Sequence, residues 1–509
     1  MSSFYNNVVI AFAALGSFSY GYCASVFGSV IGLPGWYAYF DLPMTGEEGY
    51  AEKTTPVIAT ANGVISAGGG VGSLLAMWSA DALGRRASIQ LGAFFSLLGG
   101  ALQASAVNLP MFQAGRFIAG VGIGLLVVVC PMYMSELAPV ERRGWLVGHH
   151  AIFLVIGYTF AGWIAYACYF APEHLLEFGW RFPMSFQTFP PLVLLVGSIW
   201  LPRSPRWLMS HGHEKEALRV LHRLRQPTAS GREEANLEFN QIQEQLALEK
   251  QNLEASGGNI WQLLWTKRSY RKRMILGFLT QFGAEFGGPL VITNYLVILV
   301  QSLGQTGSKP LLVTALYLTT AGFIWNPLGS WLHDRIPSRR GMLIVGMICN
   351  VITISLLVAI FATYQNTDNQ SGKIAGIAVI FIYLALEGTM IDTTMYLYVA
   401  EIFPMELRSI GMGFSLFGQF AATIILLQTT PIGLNNVGWR YFLLLIVSSA
   451  VFAPVIWYWW PETARLTIEQ VARAFGDEVT QTSSTVVMTS VESEQVENSD
   501  EHPRTKYLE

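Results

Sequence analysis

Of 509 residues, 52% are hydrophobic and only 13% are charged, with a net charge of −3 and a mean hydropathy of +0.40. A soluble chain carries roughly 25% charged residues, so this one has too little charge to cover a water-facing surface of its size. The small net charge argues against nucleic acid as a partner, and the four cysteines (Cys23, Cys130, Cys168, Cys349) have neither disulfide-framework nor zinc spacing.

The first apolar run, Val8 to Leu33, follows no basic segment and is too long for a signal-peptide core, so it reads as a retained first membrane helix. A bilayer core needs roughly 20 apolar residues per helix. Eleven further runs qualify: 56–80, 87–106, 111–134, 145–170, 182–201, 274–300, 310–332, 341–361, 374–399, 409–428 and 441–460. These runs are continuously apolar where barrel strands would alternate, so they predict helices. The expected fold is an all-α membrane protein with twelve transmembrane helices in two six-helix bundles, 1–201 and 274–460. A charged, helix-favouring linker, 202–273, separates them; Glu214–Leu218 and Glu233–Lys250 read as short amphipathic helices. A tail, 461–509, follows, and its composition after about 476 predicts disorder.

Basic residues gather on alternate loops: Arg85 and Arg86, Arg142 and Arg143, the linker, Arg335, Arg339 and Arg340, and Arg408. The positive-inside rule makes that face, and both termini, cytosolic. The one glycosylation sequon, Asn369-Gln370-Ser371, falls in a loop this topology places outside.

Within the spans a few residues stand out. Gly63, Gly68–Gly70 and Gly72 in span two permit close helix approach. Arg116 lies about a turn into span four, where a charge at mid-membrane costs roughly 2.5–3.5 kcal/mol; it either snorkels to an interface or has a task inside. His149 and His150 open span five and, being adjacent on a helix, point in different directions; an interfacial position fits them better than a shared metal. Glu285 precedes Phe286-Gly287-Gly288-Pro289, which should break span seven and free backbone groups. Glu387 and Asp392 lie inside span ten. Intramembrane carboxyls face a cavity or a partner, and either a binding or proton role or a purely structural one is open for all three.

The halves repeat weakly. Asp81-x-x-Gly84-Arg85-Arg86 after span two answers Asp334-Arg335-x-x-x-Arg339-Arg340 after span eight, and Glu136 with Arg143 answers Glu401 with Arg408. Duplicated bundles of this kind bind substrate near the midplane between halves. More specifically, Gly115-Arg116-Phe117-Ile118-Ala119-Gly120-Val121-Gly122-Ile123-Gly124, Pro131-Met132-Tyr133-Met134-Ser135-Glu136-Leu137-Ala138-Pro139 and Arg143-Gly144 resemble the sugar porter family of the major facilitator superfamily. Leu201-Pro202-Arg203-Ser204-Pro205-Arg206-Trp207-Leu208, Glu401-Ile402-Phe403-Pro404 with Arg408, and Pro461-Glu462-Thr463 are similar to three further motifs of that family, in its order, and the sequence most resembles fungal members.

The resemblance implies alternating access and a cytosolic gate of salt bridges built from Asp81, Arg85, Arg86, Glu136, Arg142 and Arg143 in one half and Asp334, Arg335, Glu401, Arg408 and Glu462 in the other. Ordinary positive-inside charge is the plainer reading of the same residues. The resemblance also implies that Arg116 faces an aspartate on helix one for proton coupling, but Cys23 occupies that place, which leaves uniport and proton symport open. Glu285 and Glu387 are the substitute proton-coupling candidates. The family's sugar-binding amides are mostly replaced: Ala151 and Tyr158 on span five, Ala284 to Leu290 on span seven, Tyr396 on span ten and Thr423 on span eleven. Arg203 stands where the family has glutamate. The substrate-facing candidates are Tyr158, Gln281, Glu285, Asn294, Tyr295, Asp392, Tyr396, Gln419 and Thr423.

The expected function is a plasma-membrane transporter for a sugar, polyol or related small polar molecule, with or without H+. A carrier of a non-sugar metabolite, export included, is the alternative, and a transporter-like nutrient sensor a more remote one. No nucleophile–base pair, metal-ligand spacing or phosphate loop suggests an enzyme, a metal or a cofactor.

Overall fold

The computed structural model describes residues 4–139, 143–225, 228–255, 260–365, 367–404, 407–466 and 468–476. The expected tail disorder and Arg142 lie outside these, as do the side chains of Arg143 and Asp334.

Twelve membrane helices emerge among the described residues. Spans one to six are Phe4–Val30, Tyr50–Ala82, Arg85–Ala104, Leu109–Leu137, Arg143–Cys168 and Glu173–Trp200. Spans seven to twelve are Arg268–Ser302, Lys309–His333, Arg339–Tyr364, Gln370–Ile402, Arg408–Val437 and Leu443–Trp459. The last two are joined by a tight turn at Gly438–Phe442. Large apolar side chains such as Leu98, Ile352, Leu356 and Val451 remain exposed on the outer faces, as lipid contact requires.

Inside each half, glycines set the helix spacing. A Cβ on Gly68 would sit 2.1 Å from the Phe117 carbonyl oxygen, and one on Gly120 2.2 Å from that of Ile65, so spans two and four touch backbone to backbone. The other side of span two meets the opposite half, with Gly69 against Phe420 and Gly63 against Gln428 of span eleven. Spans five and eight form the matching contact between halves, through Thr159 Oγ1 to the Leu318 carbonyl at 3.2 Å and Trp163 Nε1 to Thr319 Oγ1 at 2.9 Å.

Three membrane helices depart from regular geometry where the centre is built. Span seven stops at Glu285 and restarts at Pro289 through Gly288, whose φ of +94° only glycine adopts readily. Spans eight and ten each contain a wide π-helical turn, at Ala321–Trp325 and Gly388–Asp392. Such turns insert a residue and re-aim the side chains around them.

The linker joins one face of the bundle. Ala217, Leu221 and Leu224 of the helix Glu214–Leu224 are buried. The segment expected to be a short helix is instead a continuous helix, Ala229–Ala255. Two ion pairs fasten it: Arg225 to Glu238, and Arg206 to Glu249 at 2.5 Å. Good helix formers such as Glu, Gln, Leu and Ala run through the segment without Gly or Pro after Gly231, so nothing stops it at either expected end.

Candidate functional site

The centre of the molecule is lined unequally by the two halves. From the second half, Gln281 and Glu285 of span seven are fully buried. Glu285 Oε1 accepts from Gln419 Nε2 at 2.8 Å, and the Tyr396 hydroxyl donates to Gln419 Oε1 at 3.1 Å. Among the described residues, Glu285 Oε2 and both amide atoms of Gln281 have no hydrogen-bond partner. Across the π-helical turn of span ten, Asp392 accepts from Asn326 Nδ2 at 3.1 Å, while Glu387, 4% exposed, leaves Oε1 unpartnered. Both amide atoms of Asn350 are likewise buried and unpartnered, beside Gly287. Buried polar atoms are ordinarily satisfied, so this group of unused ones is the candidate binding surface.

The first half faces these acids with aromatic hydroxyls and an imidazole. The Tyr20 hydroxyl lies close enough to those of Tyr396 and Tyr158 to interact with both. His150 Nδ1 is 2.6 Å from Ser17 Oγ, and its ring stands edge-on to that of Tyr396, 6.4 Å between centroids. The interfacial position expected for this histidine is therefore corrected: His150 is 8% exposed and packs at the junction of the halves, while His149 is only partly buried.

Arg116 occupies a separate pocket on the first-half side. It is fully buried, donates from Nε to the Ala61 carbonyl at 3.1 Å and from Nη2 to Asn62 Oδ1 at 3.0 Å, and lies 4.8 Å over the Phe27 ring. Among the described residues no carboxylate pairs with it. Cys23 Sγ instead donates to Gln187 Oε1 at 3.4 Å. Asn62 Nδ2 continues the chain to the Tyr295 hydroxyl at 3.2 Å, which donates to the Leu427 carbonyl at 2.5 Å. Arg116 thus anchors a network through spans two, four, seven and eleven rather than a cation–acid pair.

Of the sequence-derived substrate positions, Tyr158, Gln281, Glu285, Asp392, Tyr396 and Gln419 converge at the centre together with Glu387. Three others spend their polar groups elsewhere: Tyr295 on Asn62 and Leu427, Asn294 Nδ2 on the Leu290 carbonyl, and Thr423 Oγ1 on the Gln419 carbonyl. Tyr20 and Asn326 are central residues that the sequence reading did not single out, and His150 is one it placed at the interface. An asparagine in the middle of apolar span eight was the available signal for Asn326.

The gate residues form two lattices on the linker face. In the first half, Arg85 bridges Asp81 at 2.9 Å and Glu136 at 2.8 Å, and Ser204 Oγ donates to Glu136 at 2.5 Å. In the second, Arg339 meets Glu401 at 3.4 Å, and Thr463 Oγ1 donates to Glu401 at 2.6 Å. Asp81 Oδ2 also accepts from Ser409 Oγ at 2.7 Å, a hydrogen bond between the halves. Arg335 joins no acid among the described residues and stacks on Trp331, 3.8 Å from the ring centre. Glu462 gathers hydrogen bonds at the start of span nine. Burial there raises its pKa, but donors from Ser338, Ala464, Arg339 and Thr463 outweigh that and hold it below the usual carboxylate range.

This arrangement, two six-helix bundles around a polar centre with mirrored charge lattices at one face, has a counterpart among known proteins. Residues 9–475 match the family model described as "Sugar (and other) transporter". The chain belongs to that family. Among the relatives of this transporter, the MFS-type transporter criB of Aspergillus cristatus is 30% identical over 460 residues, covering 89% of this chain and 93% of the relative. Myo-inositol transporter 2 of Schizosaccharomyces pombe is 29% identical over 415 residues, 77% of this chain and 70% of that one. The fold is that of XylE, the xylose transporter from E. coli: its structure as a proton:xylose symporter bound to 6-bromo-6-deoxy-D-glucose superposes with a TM-score of 0.75 at 21% identity, over 92% of this chain and 99% of that one. The transporter is a multi-pass membrane carrier of the major facilitator fold, and the relatives are carriers rather than enzymes.

Proposed function

We propose that this transporter carries a sugar, polyol or related polyhydroxylated molecule across the plasma membrane, with the linker face and both termini in the cytosol. Residues 1–201 and 274–460 act as the two rocking units, coupled through 202–273. The observation that carries this reading is the set of unpartnered buried acceptors and donors at the centre, Gln281, Glu285 Oε2 and Glu387 Oε1. Hydroxyl groups are both donors and acceptors, so a polyol satisfies carboxylates and tyrosines alike. Substrate contacts from both sides would favour an occluded state and shift the balance between outward and inward forms. The relatives support the substrate class, since one is named for myo-inositol and the fold neighbour for xylose and protons.

Proton symport is the coupling we favour. With Cys23 in the first half and Arg116 held through Nε and Nη2 by neutral acceptors, Glu285 is the carboxyl best placed to exchange a proton while touching substrate. Counterflow in proteoliposomes with a panel of hexoses, pentoses and polyols tests the substrate. Saturable exchange of at least one member is expected, and none across the panel would reject the reading. The acid-rich centre in place of amides gives the second reading, a non-sugar metabolite. That reading is favoured if efflux of a charged or amine-bearing compound is seen while the panel fails.

A further inference from the structure

Two of the three central acids share one turn of span ten. Glu387 immediately precedes the π-helical turn Gly388–Asp392 and Asp392 ends it. In an α-helix, residues five apart point roughly 140° away from each other; the wider π turn brings them onto one side. Glu387 accordingly lies within electrostatic reach of Asp392, and of Glu285 as well. Span eight packs the end of its own π turn against this pair. Asn326 donates from Nδ2 to Asp392 Oδ2 at 3.1 Å, and a Cβ on Gly388 would meet its Oδ1 at 3.0 Å. Asn326 is 7% exposed and Glu387 4%, and among the described residues Asn326 Oδ1 and Glu387 Oε1 have no hydrogen-bond partner. A buried amide thus holds one acid and aims an unused oxygen at the other's turn.

No cation answers these acids. Among the described residues no lysine, arginine or histidine forms an ion pair with Glu285, Glu387 or Asp392. Arg116 is held in its own pocket, His150 turns to Ser17 and Tyr396, and the first half faces the acids with the hydroxyls of Tyr20 and Tyr158. Nor do the acids close around a point: no group of three His, Cys, Asp or Glu gathers as metal ligands among the described residues. They form a row instead. Glu285 is joined through Gln419 to Tyr396, and Asp392 and then Glu387 follow it along span ten. Such a row suits a ligand with donors spread over its length better than a single ion.

We propose that the transported molecule is a sugar or polyol bearing an ammonium group, and that Glu387 and Asp392, with Asn326 Oδ1, hold that ammonium. This substrate class rests on the polyhydroxylated reading above and narrows it. An ammonium has three donors and no acceptor, and the two unpartnered atoms at this turn, Glu387 Oε1 and Asn326 Oδ1, are both acceptors. It also brings the opposite charge that a buried carboxylate otherwise lacks, and its hydrogen bonds to carboxylates are charge-assisted. A hydroxyl in the same place offers one donor and no charge. The hydroxyls of the substrate then meet Gln281 and Tyr396, and Glu285 stays available for the proton.

The test is counterflow by the full chain in proteoliposomes at about pH 6, where aliphatic amines are charged. It uses matched pairs that exchange one hydroxyl for an amine: D-glucose with D-glucosamine, scyllo-inositol with scyllo-inosamine, and D-glucitol with D-glucamine. In at least one pair the amine should have a KM about tenfold or more below that of its hydroxyl partner. In Glu387→Gln that ratio should move about tenfold toward parity, and Asp392→Asn, whose amide oxygen still serves Asn326, should shift it in the same direction. Thermal unfolding of each purified variant shows that it is folded, and the parent's ratio decides even where a variant is not. Hydroxyl partners carried with equal or lower KM in every pair overturn the proposal and leave the polyhydroxylated reading standing; no transport of any member overturns both. An amine preference that survives in both variants overturns the assignment to Glu387 and Asp392. Transport of the hydroxyl partners that requires sodium assigns the acids to a metal ion and overturns the proposal as well.

Discussion

The two walls of the molecule's interior use charge in opposite ways. Arg116, in its own pocket on the first-half side, is a cation among neutral groups, a backbone carbonyl, an asparagine and a phenylalanine ring, with Nη1 unpartnered among the described residues. Glu285, Glu387 and Asp392 on the second-half wall are titratable, and two of them keep an oxygen unpartnered. A guanidinium stays charged at neutral pH, so here it can hold helices together but not exchange a proton. A carboxyl with a spare oxygen can gain or lose a proton and meet a ligand. The lesson is that an intramembrane charge gains functional meaning from whether it can trade a proton and a partner, more than from its being there.

The largest effect expected from this contrast is structural. Arg116→Met strands Asn62 Oδ1 in the interior and removes a charge-assisted bond to the Ala61 carbonyl, and should cost about 2–4 kcal/mol. Glu285→Gln keeps an acceptor for Gln419 and should cost less than about 1 kcal/mol. Thermal unfolding of the two purified variants checks the pair; equal losses would erase the distinction between the walls.

A second variant sharpens it on the acid wall. Asp392→Asn retains a side-chain oxygen for Asn326, so the fold should persist with a Tm near that of the parent while the substrate KM rises several-fold. An unchanged KM would remove Asp392 from the centre's chemistry.

The acid response separates the two ends of the linker face. Because Glu462 is held below its unfolded value, its contribution to stability is present above the unfolded carboxylate pKa of about 4.3 and is lost as pH falls through the lowered folded value. Stability profiles between roughly pH 6 and 3 should therefore steepen at the acid end in the parent and flatten in Glu462→Gln. Identical slopes would show that the bonds from Ser338 and the backbone are not held in solution.

The smallest effect concerns the latch. Asp81 is half-exposed, and exposed ion pairs contribute roughly 0–1 kcal/mol, so Ser409→Ala should raise accessibility from the linker face only a few-fold. Cysteine labelling at Met77, which packs against Gly413 across the halves, measures it. A variant labelled at the parent rate would mean that this bond holds nothing shut.

Much of the fold was legible because hydrocarbon demands long apolar helices, and the break after Glu285 was legible because Gly287-Gly288-Pro289 cannot continue one. The centre was less so. Asn326 and Asp392 are 66 positions apart, and their pairing depends on π-helical turns in spans eight and ten that helical periodicity does not announce. Arg116 found a backbone carbonyl, an acceptor that every residue carries and no sequence pattern marks. Tyr295 looked like a substrate contact for its place beside the break, yet its hydroxyl accepts from Asn62 across the halves and donates to the Leu427 carbonyl. His150 was placed at the interface because adjacency to His149 said only that the two diverge, not which one turns inward.

The account turns on Glu285 as the site where proton and substrate meet. Accumulation of a transported sugar or polyol in proteoliposomes, with and without an inward pH gradient, tests it in the parent and in Glu285→Gln. Gradient-driven accumulation should fall at least about tenfold in the variant, equivalent to about 1.4 kcal/mol of coupling, while counterflow without a gradient persists. Full gradient-driven accumulation by Glu285→Gln would contradict it.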